Sequence, residues 1–155
     1  MAFHYSPKIV SNGLIFKLDA ANNKSFPKSG TEFKDLTRKK AASVLVNGPT
    51  FNTDKAGNIV FDGVTTDTSL WYNLVGVYIP STSITTYLNG NQIFQNTTSI
   101  PASQYVGNPS NTRINKDGGT NSQAGSVADV SIYDIALTPT QILKNYNATK
   151  SRFGL

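Results

Sequence analysis

Short apolar runs, each bounded by turn-forming residues, recur along the chain. The first run, residues 13–19, follows the turn-like Ser11-Asn12-Gly13 and has apolar neighbours on both faces. Runs of this length between Gly, Asn or Pro residues are typical of β-strands. The pattern predicts strands within the stretches 13–19, 44–46, 50–51, 57–63, 71–79, 84–94, 105–107 and 125–133.

The clearest local signal is a hairpin over residues 84–94. Its Asn89-Gly90 pair suits the positive backbone angles that a tight hairpin turn requires. Two polar stretches rich in turn-forming residues, 20–31 and 108–125, are predicted to be loops. Strands and turns therefore alternate over most of the chain.

Helix signals occur only near the C-terminus. Thr138 can cap a helix, Pro139 has the favoured first position, and Ile142, Leu143 and Tyr146 fall at helical spacing. We expect a turn or two of helix there. With the closely spaced strands, this predicts an all-β fold, an antiparallel β-sandwich or jelly roll that ends in a short helix.

Composition limits both the size of the core and the available chemistry. A chain of 155 residues suits one domain, which we place at 13–155 after an N-terminal arm at 1–12. No apolar run reaches the length of a membrane span, and no signal core begins the chain, so we expect synthesis in a cytoplasm. Cysteine is absent, and His4 and Glu32 are the single residues of their types. We therefore expect no enzyme activity and no metal or cofactor.

Positive charge is concentrated in one stretch. The net charge is +5, and residues 24–40 carry six of the 14 basic side chains. A solvated loop is the simplest interpretation, and docking on an acidic protein surface is the second. Nucleic-acid binding ranks last, because the basic run 34–40 contains no aromatic residue that could serve as a stacking platform.

Seven segments occur in an order that is more specific than any one of them. They include Ile59-Val60-Phe61-Asp62-Gly63-Val64 and Tyr87-Leu88-Asn89-Gly90. The full set is 9–20, 45–51, 59–64, 71–78, 87–90, 125–133 and 136–148. In this order they resemble the concanavalin A-like, laminin-G-type jelly-roll modules common in virion proteins of tailed bacteriophages, especially marine and cyanobacterial ones.

The chain departs from such modules in two places. Residues 65–70 stand where the modules place several further strands, and the usually Gly- and Asn-rich loop at 37–42 is basic. A shortened sandwich would leave strand edges and apolar faces without neighbours. We expect a partner to cover them, either another copy of the chain or a larger shell.

The resemblance suggests three kinds of site. Glucanase relatives need two closely spaced carboxylates, and we interpret Asp129 and Asp134 as loop caps instead. Trp71 and Tyr72 could form a sugar platform, but in the family pattern this Trp begins a core strand, so we favour packing for it. A Ca²⁺ site at 111–121 is less favoured than a plain polar loop, and the candidate glycan-binding residues lie in the same loop: Asn108, Asn111, Arg113, Asn115 and Asp117.

These expectations lead to one leading hypothesis and one alternative. The leading hypothesis is a phage capsid decoration protein, present in the virion, that docks on the outer shell without nucleic acid or membrane. The alternative is a lectin-like module of a tail or head fibre that contacts the host surface. The candidate docking residues are Lys34, Arg38, Lys39, Lys40, Phe3 and Tyr5.

Overall fold

The computed structural model describes residues 8–41, 43–45, 49–61, 70–103 and 125–155. These residues belong to two compact units, one containing 14–69 and 110–134 and the other 1–13, 70–109 and 135–155. The elements are β1 (Leu14–Asp19), β2 (Thr50–Asn52), a short 3-10 turn (Asp54–Ala56), β3 (Asn58–Phe61), β4 (Leu74–Ile79), β5 (Ser83–Leu88), β6 (Asn91–Asn96), β7 (Gly125–Val127), β8 (Asp129–Tyr133) and α1 (Pro139–Phe153).

The first unit contains two antiparallel sheets, β1-β8 and β2-β3-β7. The stretch 125–133, predicted as one strand, is two strands that pair with different neighbours. Ala128 lies between them, is buried, and accepts a hydrogen bond from the Ala20 N–H at 2.9 Å. The prediction was wrong on this point because an alternating pattern records burial and not the identity of the neighbouring strand.

Five buried residues form the core of this unit. Leu18 and Ile59 come from strands, whereas Phe26 and Phe33 come from irregular chain. The remaining member is Ala20. The loop predicted at 20–31 is present, but it is not wholly polar in its role, because Phe26 is only 2% exposed. Of the strand predicted at 44–46, the described residues 44–45 show a single bridge, between Val44 and Glu32, and residue 46 lies outside the described residues.

The second unit is built on the sheet β4-β5-β6. The predicted hairpin is confirmed, with φ of +50° at Asn89 and +80° at Gly90 in the two-residue turn between β5 and β6. A Cβ on Gly90 would lie 3.0 Å from Leu143 and 3.1 Å from Tyr146, so the turn also approaches α1 closely. Residue 90 thus needs glycine both for its backbone angle and for helix packing.

Helix α1 is longer than the predicted turn or two, with 15 residues. Its start is as expected, because the Thr138 hydroxyl accepts from the Gln141 N–H and the Gln141 side chain accepts from the Thr138 N–H. Its later turns are polar, so apolar spacing underestimated its length. The Asn145 side chain accepts a hydrogen bond from Val10 N–H at 2.7 Å, and Gly154 ends the helix with φ of +74°.

The predicted fold class is confirmed: the described strands form antiparallel sheets, and one helix follows them. The division into an arm and a single domain stays a prediction. The strand expected at 105–107 and most of the loop at 108–125 lie outside the described residues. No helix in the described ranges is long and apolar enough to cross a membrane.

Candidate docking site

The basic docking residues predicted from the sequence lie in and beside one surface loop. Lys34, Arg38, Lys39 and Lys40 are all exposed. Lys34 forms an ion pair with Glu32 at 3.2 Å, but both side chains are more than half exposed, so the pair contributes little stability. Within the described part of the chain, no carboxylate pairs with the other three. These three, Arg38, Lys39 and Lys40, form what we call the basic loop.

Asp35 holds the basic loop in shape. Its buried carboxylate accepts hydrogen bonds from the backbone N–H groups of Lys17, Thr37 and Ala41 at 2.9, 2.9 and 3.1 Å, and from the Thr37 hydroxyl at 2.6 Å. These bonds join the start and the end of the loop to β1. The three charges are therefore carried on a fixed backbone rather than on a free one.

The same bonds determine the protonation of Asp35. Burial raises the pKa of this carboxyl, but the hydrogen bonds from Thr37, Lys17 and Ala41 lower it by more, so the pKa lies below its usual value of 3.8. Because folding lowers this pKa, the ionised carboxylate stabilises the folded state at pH values above the pKa of the unfolded chain. That contribution disappears as pH falls through the folded-state pKa.

We predict that Asp35→Asn lowers the free energy of unfolding at pH 7 by about 2–3 kcal/mol, because the neutral amide oxygen accepts hydrogen bonds from these N–H groups more weakly than the carboxylate does. The difference between the variant and the parent should shrink as pH falls below 3.8, where the parent carboxyl also becomes protonated. Urea unfolding between pH 2.5 and 7 measures it. A difference that stays constant with pH would contradict this account of the loop.

A second exposed feature lies on one face of the β4-β5-β6 sheet. Residues opposite each other in an antiparallel ladder share a face. The register therefore places Leu74, Ile84 and Phe94 on one side of the sheet. They are 70%, 40% and 59% exposed. We call these three residues the apolar sheet face.

The other side of the same sheet has the opposite character. Val77 lies opposite Thr85, and Tyr87 shares their face of the sheet; all three are buried. One face of the sheet is thus buried, whereas the other face exposes apolar side chains to solvent. Sequence reasoning expected an uncovered apolar face but did not identify it, since both faces of β4 carry apolar residues.

A buried ion pair joins the two strands of the β1-β8 sheet. The Lys17 ammonium group contacts both carboxylate oxygens of Asp129 and donates to the Ser131 hydroxyl at 3.1 Å. Asp129 lies within β8 and is not the loop cap that its position suggested. The charge of this carboxylate is balanced inside the fold.

Residues 10–143 match the family Laminin_G_3, the concanavalin A-like lectin/glucanases superfamily. The chain belongs to this superfamily. The match covers most of the chain and agrees with the antiparallel sheets, so the fold is a shortened β-sandwich of the concanavalin A-like type. No curated protein and no solved structure gives a significant match.

Membership of the lectin/glucanases superfamily directs attention to sugar-binding and acidic residues. Trp71 is half-buried, with its ring centroid 5.0 Å from that of Phe153, so it packs against α1. It lies in irregular chain before β4, and not at the start of a core strand as expected. Tyr72 is exposed. The described residues contain no group of three or more side chains able to hold a metal ion.

Two sets of predicted site residues cannot be placed. Phe3 and Tyr5, expected in the docking arm, lie outside the described residues. The candidate glycan-binding residues lie outside them as well, and they are Asn108, Asn111, Arg113, Asn115 and Asp117. The structure therefore brings together only the basic part of the predicted docking site.

Proposed function

We propose that this chain is a non-enzymatic structural protein of a phage virion, a decoration protein that docks on the outer surface of the capsid shell. The observation that carries the proposal is the apolar sheet face. A sheet that buries one side and exposes Leu74, Ile84 and Phe94 on the other presents the kind of surface that marks protein interaction sites.

The apolar sheet face supplies the buried contacts that an interface needs. Large apolar and aromatic side chains that become fully covered provide most of the binding free energy in protein complexes. No residue of β4, β5 or β6 is charged, so covering this sheet costs no desolvation of an ion. A flat protein surface such as a capsid shell fits it.

The basic loop supplies long-range attraction. Individual exposed charges contribute less than about 1 kcal/mol each to the binding free energy. Together they raise the rate of association with an acidic surface and orient the protein as it approaches that surface. Because Asp35 fixes the loop, little conformational entropy is lost on binding. Capsid shells with acidic outer patches are the partner that this charge suits.

The state of two described carboxylates, Asp35 and Asp129, supports a non-enzymatic role. Asp129 is balanced by Lys17, and Asp35 is saturated by hydrogen bonds from its own loop. A retaining glucanase needs two carboxylates about 5 Å apart, one of which must exchange protons during the reaction. Asp35 and Asp129 are instead committed to holding the fold.

The basic loop gives the first test, on empty capsids of the phage that encodes this chain. We predict that Lys39→Glu with Lys40→Glu weakens binding about tenfold or more, because attraction to an acidic shell becomes repulsion. Binding of the parent should also weaken as salt is added. Co-sedimentation over a range of NaCl concentrations measures both.

Two further variants make this test specific. Lys24→Glu with Lys28→Glu changes net charge equally at exposed positions outside the basic loop, and should leave binding within about threefold. Leu74→Glu places a charge on the apolar sheet face and should abolish binding. If both Lys pairs lost the same affinity for capsids, the effect would come from net charge and not from the basic loop. If Leu74→Glu bound capsids as well as the parent, the apolar sheet face would not be the docking surface.

A lectin-like module of a tail or head fibre is the second candidate, and membership of the lectin/glucanases superfamily favours it. It predicts binding on a glycan array that is lost when residues of the loop 108–125 are changed, for instance Arg113→Ala with Asp117→Ala. Capsid binding by the parent that is lost in Lys39→Glu with Lys40→Glu, together with no signal on the glycan array, would favour decoration.

A further inference from the structure

The β6 strand is an exposed edge of its sheet. Among the described residues its only neighbouring strand is β5. Asn91 to Gln95 are all exposed and Asn96 is half-buried. Natural edge strands are often protected from pairing with another chain by a charge, a proline or a bulge. β6 has a bulge but neither a charge nor a proline, and among the described residues no strand pairs with its outer edge.

The sequence of β6 is nearly the same in both directions. It reads Asn-Gln-Ile-Phe-Gln-Asn. When two copies of such a strand run antiparallel about a two-fold axis, Asn91 faces Asn96 of the other copy and Gln92 faces Gln95. The central positions then place Ile93 against Phe94. Every position meets a residue of its own chemical class, and no charge meets another.

A regular strand could not use this register. Positions 91 and 96 differ by an odd number, so in an ideal strand their side chains point to opposite faces. A two-fold axis perpendicular to a sheet keeps each face on its own side, so facing residues must share a face. A regular β6 would set each amide against a side chain on the wrong face.

The structure removes this obstacle with a bulge. The pairing of β5 with β6 runs from Thr86–Phe94 directly to Tyr87–Gln92, which leaves Ile93 as an extra residue. Gln92 and Gln95 therefore lie on the buried side of the sheet, opposite Tyr87 and Thr85. Both ends of the strand then lie on the other side, opposite Leu88 and Ile84: Asn91 and Asn96.

We propose that the outer edge of β6 is a homodimer interface, in which two copies of this chain join their three-stranded sheets into one six-stranded antiparallel sheet. The exposed Ile93 and Phe94, at 58% and 59%, form its apolar centre, and the amide pairs on both sides hydrogen-bond across it. The interface shares Phe94 with the apolar sheet face, but it does not rest on capsid docking.

The register provides a charge-reversal test on the full chain, measured by sedimentation equilibrium. Gln92→Lys with Gln95→Lys places two like-charge pairs across the interface and should raise the dimer dissociation constant about tenfold or more. Gln92→Lys with Gln95→Glu makes both pairs attractive and should restore dimerisation. Asn147→Lys, an exposed change on α1, is the control and should leave dimerisation unchanged.

The absence of native cysteine allows a second test that does not depend on charge. Gln92→Cys and Gln95→Cys chains should form disulfide-linked dimers when mixed, whereas each alone should cross-link far less, since identical positions lie three residues apart. Circular dichroism verifies the fold of each variant. A parent that stays monomeric at its highest soluble concentration would overturn the proposal, as would a dimer that tolerates both lysines and shows no preference in cross-linking.

Discussion

Phe26→Ala lowers the free energy of unfolding by about 3–5 kcal/mol, because a fully buried aromatic side chain is removed and a cavity remains. Phe26 is 2% exposed and lies in the middle of the core cluster. Its ring centroid is 5.4 Å from that of Phe33 and 5.5 Å from that of Phe51. It thus connects irregular chain to β2, and its loss affects both.

The measurement is urea unfolding followed by circular dichroism. Tryptophan fluorescence would not serve, since Trp71 belongs to the other unit. Tyr72→Ala is the control, because an aromatic ring is removed from a side chain that is 54% exposed and lies outside the surfaces proposed for docking and pairing. That control should change the unfolding free energy by less than about 0.5 kcal/mol. Equal effects of the two substitutions would show that Phe26 is not a core residue.

Lys17→Met lowers the free energy of unfolding by about 3 kcal/mol, because it leaves the Asp129 carboxylate without its counter-charge at a largely buried position. Asp129 is 23% exposed, so water relieves part of the cost and the effect lies at the low end for buried pairs.

The double variant Lys17→Met with Asp129→Leu separates the ion pair from simple packing. If unbalanced charge is the cause, the second substitution should recover most of the loss, since apolar residues often replace a buried pair at little cost. A double-mutant cycle with Asp129→Leu alone completes the measurement. Losses that simply add would mean that Lys17 and Asp129 act independently.

The sequence predicted those elements whose chemistry is local. The Asn89-Gly90 turn and the Thr138 cap were predicted correctly because each depends on residues within one turn of chain. The length of α1 was underestimated because its later turns are mostly polar, and the contact of Asn145 with Val10 is one that no helical spacing reveals. Phe26 was likewise hidden in a polar stretch.

The candidate site divides in the same way. The basic loop follows from a run of charges that is visible in the sequence, but its support by Asp35 depends on a β1 residue 18 positions earlier. The apolar sheet face could not be predicted, because an alternating strand does not say which of its sides another part of the protein will cover. Only the register identified it.

The pairing of β1 with β8 also bears on how the protein is made. Leu14 lies opposite Tyr133, and Asp19 opposite Asp129, so β1 pairs with residues that follow it by more than a hundred positions in the sequence. The hairpin of β5 and β6 needs only its own two-residue turn. On a ribosome the hairpin can therefore form early, whereas β1 and β3 stay without β8 and β7 until those later strands have emerged. This unit can first close only once β7 and β8 are outside the ribosome.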